Sequence, residues 1–241
     1  MNRAFSKILT LVILIIIAGG GILAWQYFGV PKEEVKIPEV PTGTPFLIGP
    51  TTVWDCVGIE CLEKWHGCES LDCISGVMEQ YGASSDAITF TKLLSERGYL
   101  NQFQEMGKID LGVVAFPNRV HTNEAYYLLN GSPLLVSAEI SQKEEEELMN
   151  ELKQDPLYPE ITEKYPNIWF WGFAPQFVEK KVLPNNKERF VFEYRFVNGC
   201  RICHTEYAAR IGFDFDSDEN FLEIIFLQNI NTGVPEGYGP G

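Results

Sequence analysis

Positive charge is scarce in this chain. Its 241 residues include 19 lysines and arginines against 33 acidic residues, a formal net charge of −14. The cations are scattered, so no basic stripe exists to neutralise phosphates, and nucleic-acid binding is not expected. An anionic lipid surface would repel the folded body as well. Histidine is scarcer still, with three residues. There is no glycine-rich phosphate loop, no G-x-S-x-G elbow, no H-E-x-x-H and no internal repeat. With those signatures missing, the chain reads as a structural or binding protein before it reads as an enzyme.

What is present begins at the N-terminus. Arg3 and Lys7 precede an uncharged apolar run at residues 8–25. Its length suits the ~20 residues that cross hydrocarbon. Trp25, Tyr27 and Phe28 stand where an aromatic belt meets the interface, and cations on the N-terminal side alone keep that side in the cytoplasm. The expectation is a single-pass signal anchor in the cell membrane, with the rest extracytoplasmic. A cleaved signal peptide is the alternative, but the run is long for one and no A-x-A site follows. Pro31, Pro38, Pro41, Pro45 and Pro50 then deny helix and central strand, which predicts an extended tether. The expected organisation is a cytoplasmic tip and anchor at 1–28, the tether at 29–52, one domain at 53–230 and a disordered tail at 231–241.

Export gives the six cysteines their meaning, because an oxidising compartment favours disulfides. Cys56, Cys61, Cys68 and Cys73 have gaps of four, six and four residues. Those are not the usual zinc spacings, although zinc held by these thiols and His66 stays an alternative. Disulfides lead, with connectivity open. Cys200-Arg201-Ile202-Cys203-His204 matches C-x-x-C-H, the attachment motif of c-type haem. There the thiols bond the vinyl groups and His204 would ligate iron, with Met106, Met149 or His121 as distal candidates. The same pair could be a dithiol redox centre or part of a zinc site with His204. A structural disulfide leads these readings, either closing the turn locally or clamping it to the N-terminal cysteines. Asp214 to Asn220 invites a calcium loop, but Glu219 and Ile225 occupy the places that need glycine and glutamate.

The body reads as α+β. Helices are predicted at 71–81, at 86–97 with a Ser84 or Ser85 cap and Gly98 as its end, and from the Ser141/Glu144 capping box to 153. Further helical turns are expected over 99–106, and one short helix within 155–166. Residues 109–116 read as a buried strand, with a hairpin at 126–138 about Asn130-Gly131. Residues 168–171 read as a strand or sticky edge, and 177–183 leads into a meander at 189–228. In that meander Phe190, Phe192, Tyr194 and Phe196 alternate with a two-residue period. The expected architecture packs two or three helices on one mainly antiparallel sheet built from the 109–138 strands and the meander.

The block NGCRICHTEYAARIGFDFDSDENFL, with AITFTKLLSERGYLNQFQEMGKID at 87–110, resembles uncharacterised exported, membrane-anchored bacterial proteins ending in a G-C-x-x-C, D-F-D hairpin. The resemblance implies one folded domain and brings no activity. The functional expectation is a membrane-anchored, disulfide-stabilised structural or binding module facing an envelope protein or small ligand. The alternative is redox or haem chemistry at Cys200, Cys203 and His204.

Overall fold

The computed structural model of the protein describes residues 46–94, 96–120, 122–200 and 203–233, with His204 by its main chain alone. The apolar run at 8–25, the tether to 45, His121 and the tail beyond 233 lie outside them. Among the described residues, no helix is long and apolar enough to cross a membrane.

Three helices come first: α1 (Ile59–His66), α2 (Leu71–Gln80) and α3 (Ser85–Leu93). Ser70 caps α2 and accepts from the Cys73 N–H at 3.2 Å. Of the two candidate serines for α3, Ser84 is the cap, accepting from the Ala87 N–H at 3.0 Å. The helix α4 (Gln142–Leu152) opens on the Ser141/Glu144 capping box, with both reciprocal bonds formed. A short helix, α5 (Tyr158–Lys164), follows.

Two local expectations are corrected. Helix α3 ends at Leu93 instead of Arg97, because Leu94 turns extended and buries its side chain. Gly98 is not a helix stop. A Cβ there would sit 2.6 Å from the Phe116 ring, so the glycine permits close approach of two strands. The segment after it is also not helical. Residues Tyr99–Gln104 form strand β1, since pairing with β2 overrides a weak local preference.

The strands make two antiparallel sheets where one was expected. The first has the order β1, β2 (Asp110–Ala115), β3 (Glu124–Leu129), β4 (Leu135–Ser137). The second has the order β5 (Ile168–Phe170), β7 (Glu188–Asn198), β8 (His204–Phe215), β9 (Phe221–Asn231), with β6 (Gln176–Val182) also pairing β7. The physical reason lies in the meander. Phe190, Phe192, Tyr194 and Phe196 all point to one face and are fully buried. Widening a single sheet would leave that face wet, whereas stacking a second sheet on it removes it from water. Leu111, Leu128 and Val136 of the first sheet share one core with these aromatics and with Ile211 and Phe213. Leu148, Leu152 and Ile161 from α4 and α5 close the same core. On the other side of the first sheet, Leu100, Val114 and Leu129 pack with Phe90 of α3 and with Ile48.

Residues 46–52, which prolines place in the tether, pack on this body. Asn130 holds them there. Its side chain accepts from the Ile48 N–H and donates to the Ile48 carbonyl, both at 2.9 Å. It also donates to the buried Asp110 carboxylate at 2.8 Å, which in turn accepts from the Met106 N–H. Asn130 itself has φ 68, a conformation that asparagine tolerates in tight turns. Asn130→Ala should therefore lower stability by about 2–3 kcal/mol in urea unfolding, since it leaves one oxygen of the buried Asp110 carboxylate and two main-chain groups without this partner. Asn130→Gly relaxes the backbone without restoring these bonds. It should remain nearly as unstable, and full recovery would show that only the turn conformation mattered.

Candidate functional site

The cysteines pair with their sequence neighbours. Cys56–Cys61, Cys68–Cys73 and Cys200–Cys203 are disulfides, with no free cysteine among the described residues. The first two tie loops to the opening turns of α1 and α2. Beside them Trp54, Trp65 and Tyr99 form a stack with ring centroids 4.9–5.9 Å apart. His66 hydrogen-bonds Asn118 through Nδ1 at 2.7 Å. No group of three or more His, Cys, Asp or Glu side chains converges as a metal site among the described residues.

Cys200 and Cys203 close the turn between β7 and β8 locally and do not reach the N-terminal cysteines. Their Cα atoms are 5.1 Å apart. The Asn198 N–H donates to the Cys203 carbonyl at 2.9 Å, and Gly199 takes the left-handed conformation, φ 75. Strands flank the motif on both sides, so neither cysteine stands at the N-terminus of a described helix. Cys203 is exposed and Cys200 half-buried. His204 opens β8 opposite Val197. Met106 is not brought near it. The Met106 carbonyl accepts from Lys180, which pairs Phe190, and Phe190 precedes Val197 by seven strand residues, about 23 Å. Met149 packs on the main core from α4. The acidic cluster after Asp214 is a turn. Asp216 Oδ1 accepts from the Asp218 and Asn220 N–H groups at 2.9 Å, and Asp214 is paired with Arg189 at 2.6 and 2.8 Å.

A polar network lies two residues past the motif. Buried Glu206 accepts from Lys164 and from the Tyr165 hydroxyl, and Tyr207 donates to Glu160 at 2.6 Å. Burial opposes ionisation of Glu206, but the Lys164 ammonium and the Tyr165 hydroxyl outweigh it and hold the carboxyl below its usual 4.5. The Tyr207 hydroxyl is pushed up to about 12, first by its bond to the Glu160 carboxylate and then by burial. Both Glu206 oxygens are engaged, and the network fastens α5 to β8.

The remaining hollows differ in what they leave unsatisfied. One of 280 Å³ lies beside Arg119, but that guanidinium is taken by Glu96 at 2.8 Å and Glu139 at 2.7 Å and covers the Phe116 ring. Another, between α4 and β9, is lined by Glu144, Glu147, Glu151 and Glu223, like charges on a solvated face. A third site is a cleft between the two sheets. It consists of two adjoining hollows of 320 and 190 Å³ that share Gln102, Val113 and Tyr126.

Register explains who lines this cleft. Gln102 pairs Val113, which pairs Tyr126; Gln104 pairs Leu111. Residues paired in this way share a face. The β1 ladder carries a bulge at Asn101, between Leu100 and Gln102. In an unbroken ladder continued from Leu100, Asn101 would face the cleft, and Gln102 and Gln104 would point away. The opposite wall repeats the device. A bulge at Val178 sets Phe177, not Val178, opposite Phe192. Ala174 and Pro175 complete the rim, and Ala174 has φ 48 although a proline follows, a strained conformation. The side chains of Gln102 and Gln104, both exposed to solvent, and the Tyr126 hydroxyl make no protein hydrogen bond among the described residues, and no cationic side chain lines either hollow. Sequence reasoning missed this site because 99–106 reads as helical. The short alternation Gln102-Phe103-Gln104 was the available signal. No family model, no curated protein and no solved structure matches the chain.

Two outcomes follow. Replacing Cys200 and Cys203 by serine should cost about 2 kcal/mol in chemical unfolding, the loop-closure value for so short a ring, without changing tryptophan fluorescence of the N-terminal stack. The depressed Glu206 value means that its contribution is present above pH 4.5 and lost as pH falls through the folded value. Glu206→Gln should flatten the acid limb of stability against pH, and an unchanged limb would remove Glu206 from the cause.

Proposed function

We propose that the protein is a membrane-tethered extracytoplasmic binding module whose ligand site is the cleft between the two sheets. The observation that carries this reading is the pair of bulges facing each other across the cleft. Each rotates a side chain inward, Gln102 on one wall and Phe177 on the other. Bulges of this kind cost ladder hydrogen bonds and recur where a side chain must be re-aimed at a site. The unengaged amides and phenol add polar groups that a ligand can satisfy without breaking protein contacts. The apolar run at 8–25 and the prolines after it support tethering, and three disulfides suit an oxidising compartment. The ligand is then a small molecule or a segment of an envelope protein. A second reading, thiol–disulfide exchange at Cys200 and Cys203, is favoured by the exposure of Cys203.

Two measurements on the full chain test these readings. In intact cells, an impermeant maleimide should label no cysteine before treatment with an impermeant reductant and at least the exposed Cys203 after it. Free thiols reached only after lysis would sink the exported module. In hydrogen exchange with solutes drawn from the compartment the domain faces, protection should appear in β1, β2, β3 and around Phe177. Protection centred on residues 198–204 would favour redox exchange instead.

A further inference from the structure

We infer that the cleft takes a neutral oligosaccharide, an inference that rests on the cleft being the ligand site and names the ligand's chemistry. Four properties of the lining select it by elimination. First, no lysine, arginine or histidine lines either hollow, so a phosphate or carboxylate would find no counter-charge. The formal net charge of −14 adds to that rejection. Second, a cationic ligand would meet one carboxylate, Glu124 at the rim, which already accepts from Asn101 at 3.3 Å. Third, a purely apolar ligand would strip water from Gln102, Gln104 and the Tyr126 hydroxyl without replacing their hydrogen bonds, a net cost. Fourth, the floor and one wall are apolar, formed by Leu111, Val113 and Phe177. A fully polar ligand would leave them in contact with its hydrogen-bonding groups.

A sugar ring meets all four demands. Its vicinal hydroxyls each donate and accept, which matches the paired donor and acceptor of a carboxamide. Its C–H face lies against an aromatic or aliphatic wall. The two glutamines stand two residues apart on β1, about 7 Å, so each can address a different ring of one chain. The adjoining hollows share Tyr126, which places that ring at the junction between two sugar units. A neutral chain of at least two residues therefore fits better than a monosaccharide.

The test is a titration of the full chain in detergent micelles with cellotetraose, chitotetraose and maltotetraose, read by calorimetry and by hydrogen exchange. At least one should bind, with protection in β1 and β3. Tyr126→Ala and Gln102→Ala should each weaken it at least tenfold, with the thermal midpoint of the exposed Gln102→Ala variant unchanged from the wild type. A tetramer of uronic acid should bind at least tenfold more weakly than its neutral counterpart. Failure of all three neutral sugars overturns the inference, as does uronate binding equal to the neutral sugar. If oligolysine protects the cleft and sugars do not, the saccharide class fails while the cleft stands as a binding site. Sugar binding that is indifferent to both variants overturns the cleft itself.

Discussion

The architecture depends on one buried surface, the aromatic face of β7. Phe190, Phe192, Tyr194 and Phe196 stand in a row because a strand sends alternate residues to one side, and their area is too large to leave wet. β8 extends the row with Ile211 and Phe213. The first sheet covers its middle and α4 and α5 its flank, while α1 to α3 pack in separate clusters at the first sheet. Tyr126 and Phe177 both reach the Phe192 ring, at 5.8 and 5.5 Å between centroids, and both line the cleft at the margin of the contact. Two twisted sheets cannot stay in contact along their whole length, so a cleft at such a margin follows from their geometry.

Polar ties then fix details that the core leaves free. Asn130 decides where the chain enters the body. Arg189 and Asp214 brace the outer face of β7 and β8 with two parallel hydrogen bonds, the strong arrangement for this pair. The disulfides play a smaller part. None joins one sheet to the other; packing holds the sheets together, helped by main-chain bonds of Ser132 with Glu219 and Phe221 and by the bond from the Tyr194 hydroxyl to the Ala138 carbonyl.

Much of this was legible in the residues, and the rest was not, for identifiable reasons. The meander, its Asn198-Gly199 and Asp216 turns and the Ser141 capping box have local causes that sequence displays directly. The number of sheets has none. Alternation says that a strand has one buried face and is silent on what buries it. Gly98 misled because a glycine that allows close approach to Phe116 looks the same in sequence as one that ends a helix. The cleft was hidden most thoroughly. It depends on extra residues at Asn101 and Val178, and nothing in the composition of either strand marks a bulge.

The sequence separations of the three cross-links, five, five and three residues, carry a last consequence. Six cysteines allow fifteen pairings, and in many proteins the right one can be chosen only after distant segments have met. Here each thiol finds its partner within a few residues, as soon as that stretch of chain is free. Covalent closure can therefore run ahead of tertiary assembly. The maturation of this protein needs an oxidant but little proofreading, because nearest-neighbour pairing is already the correct answer.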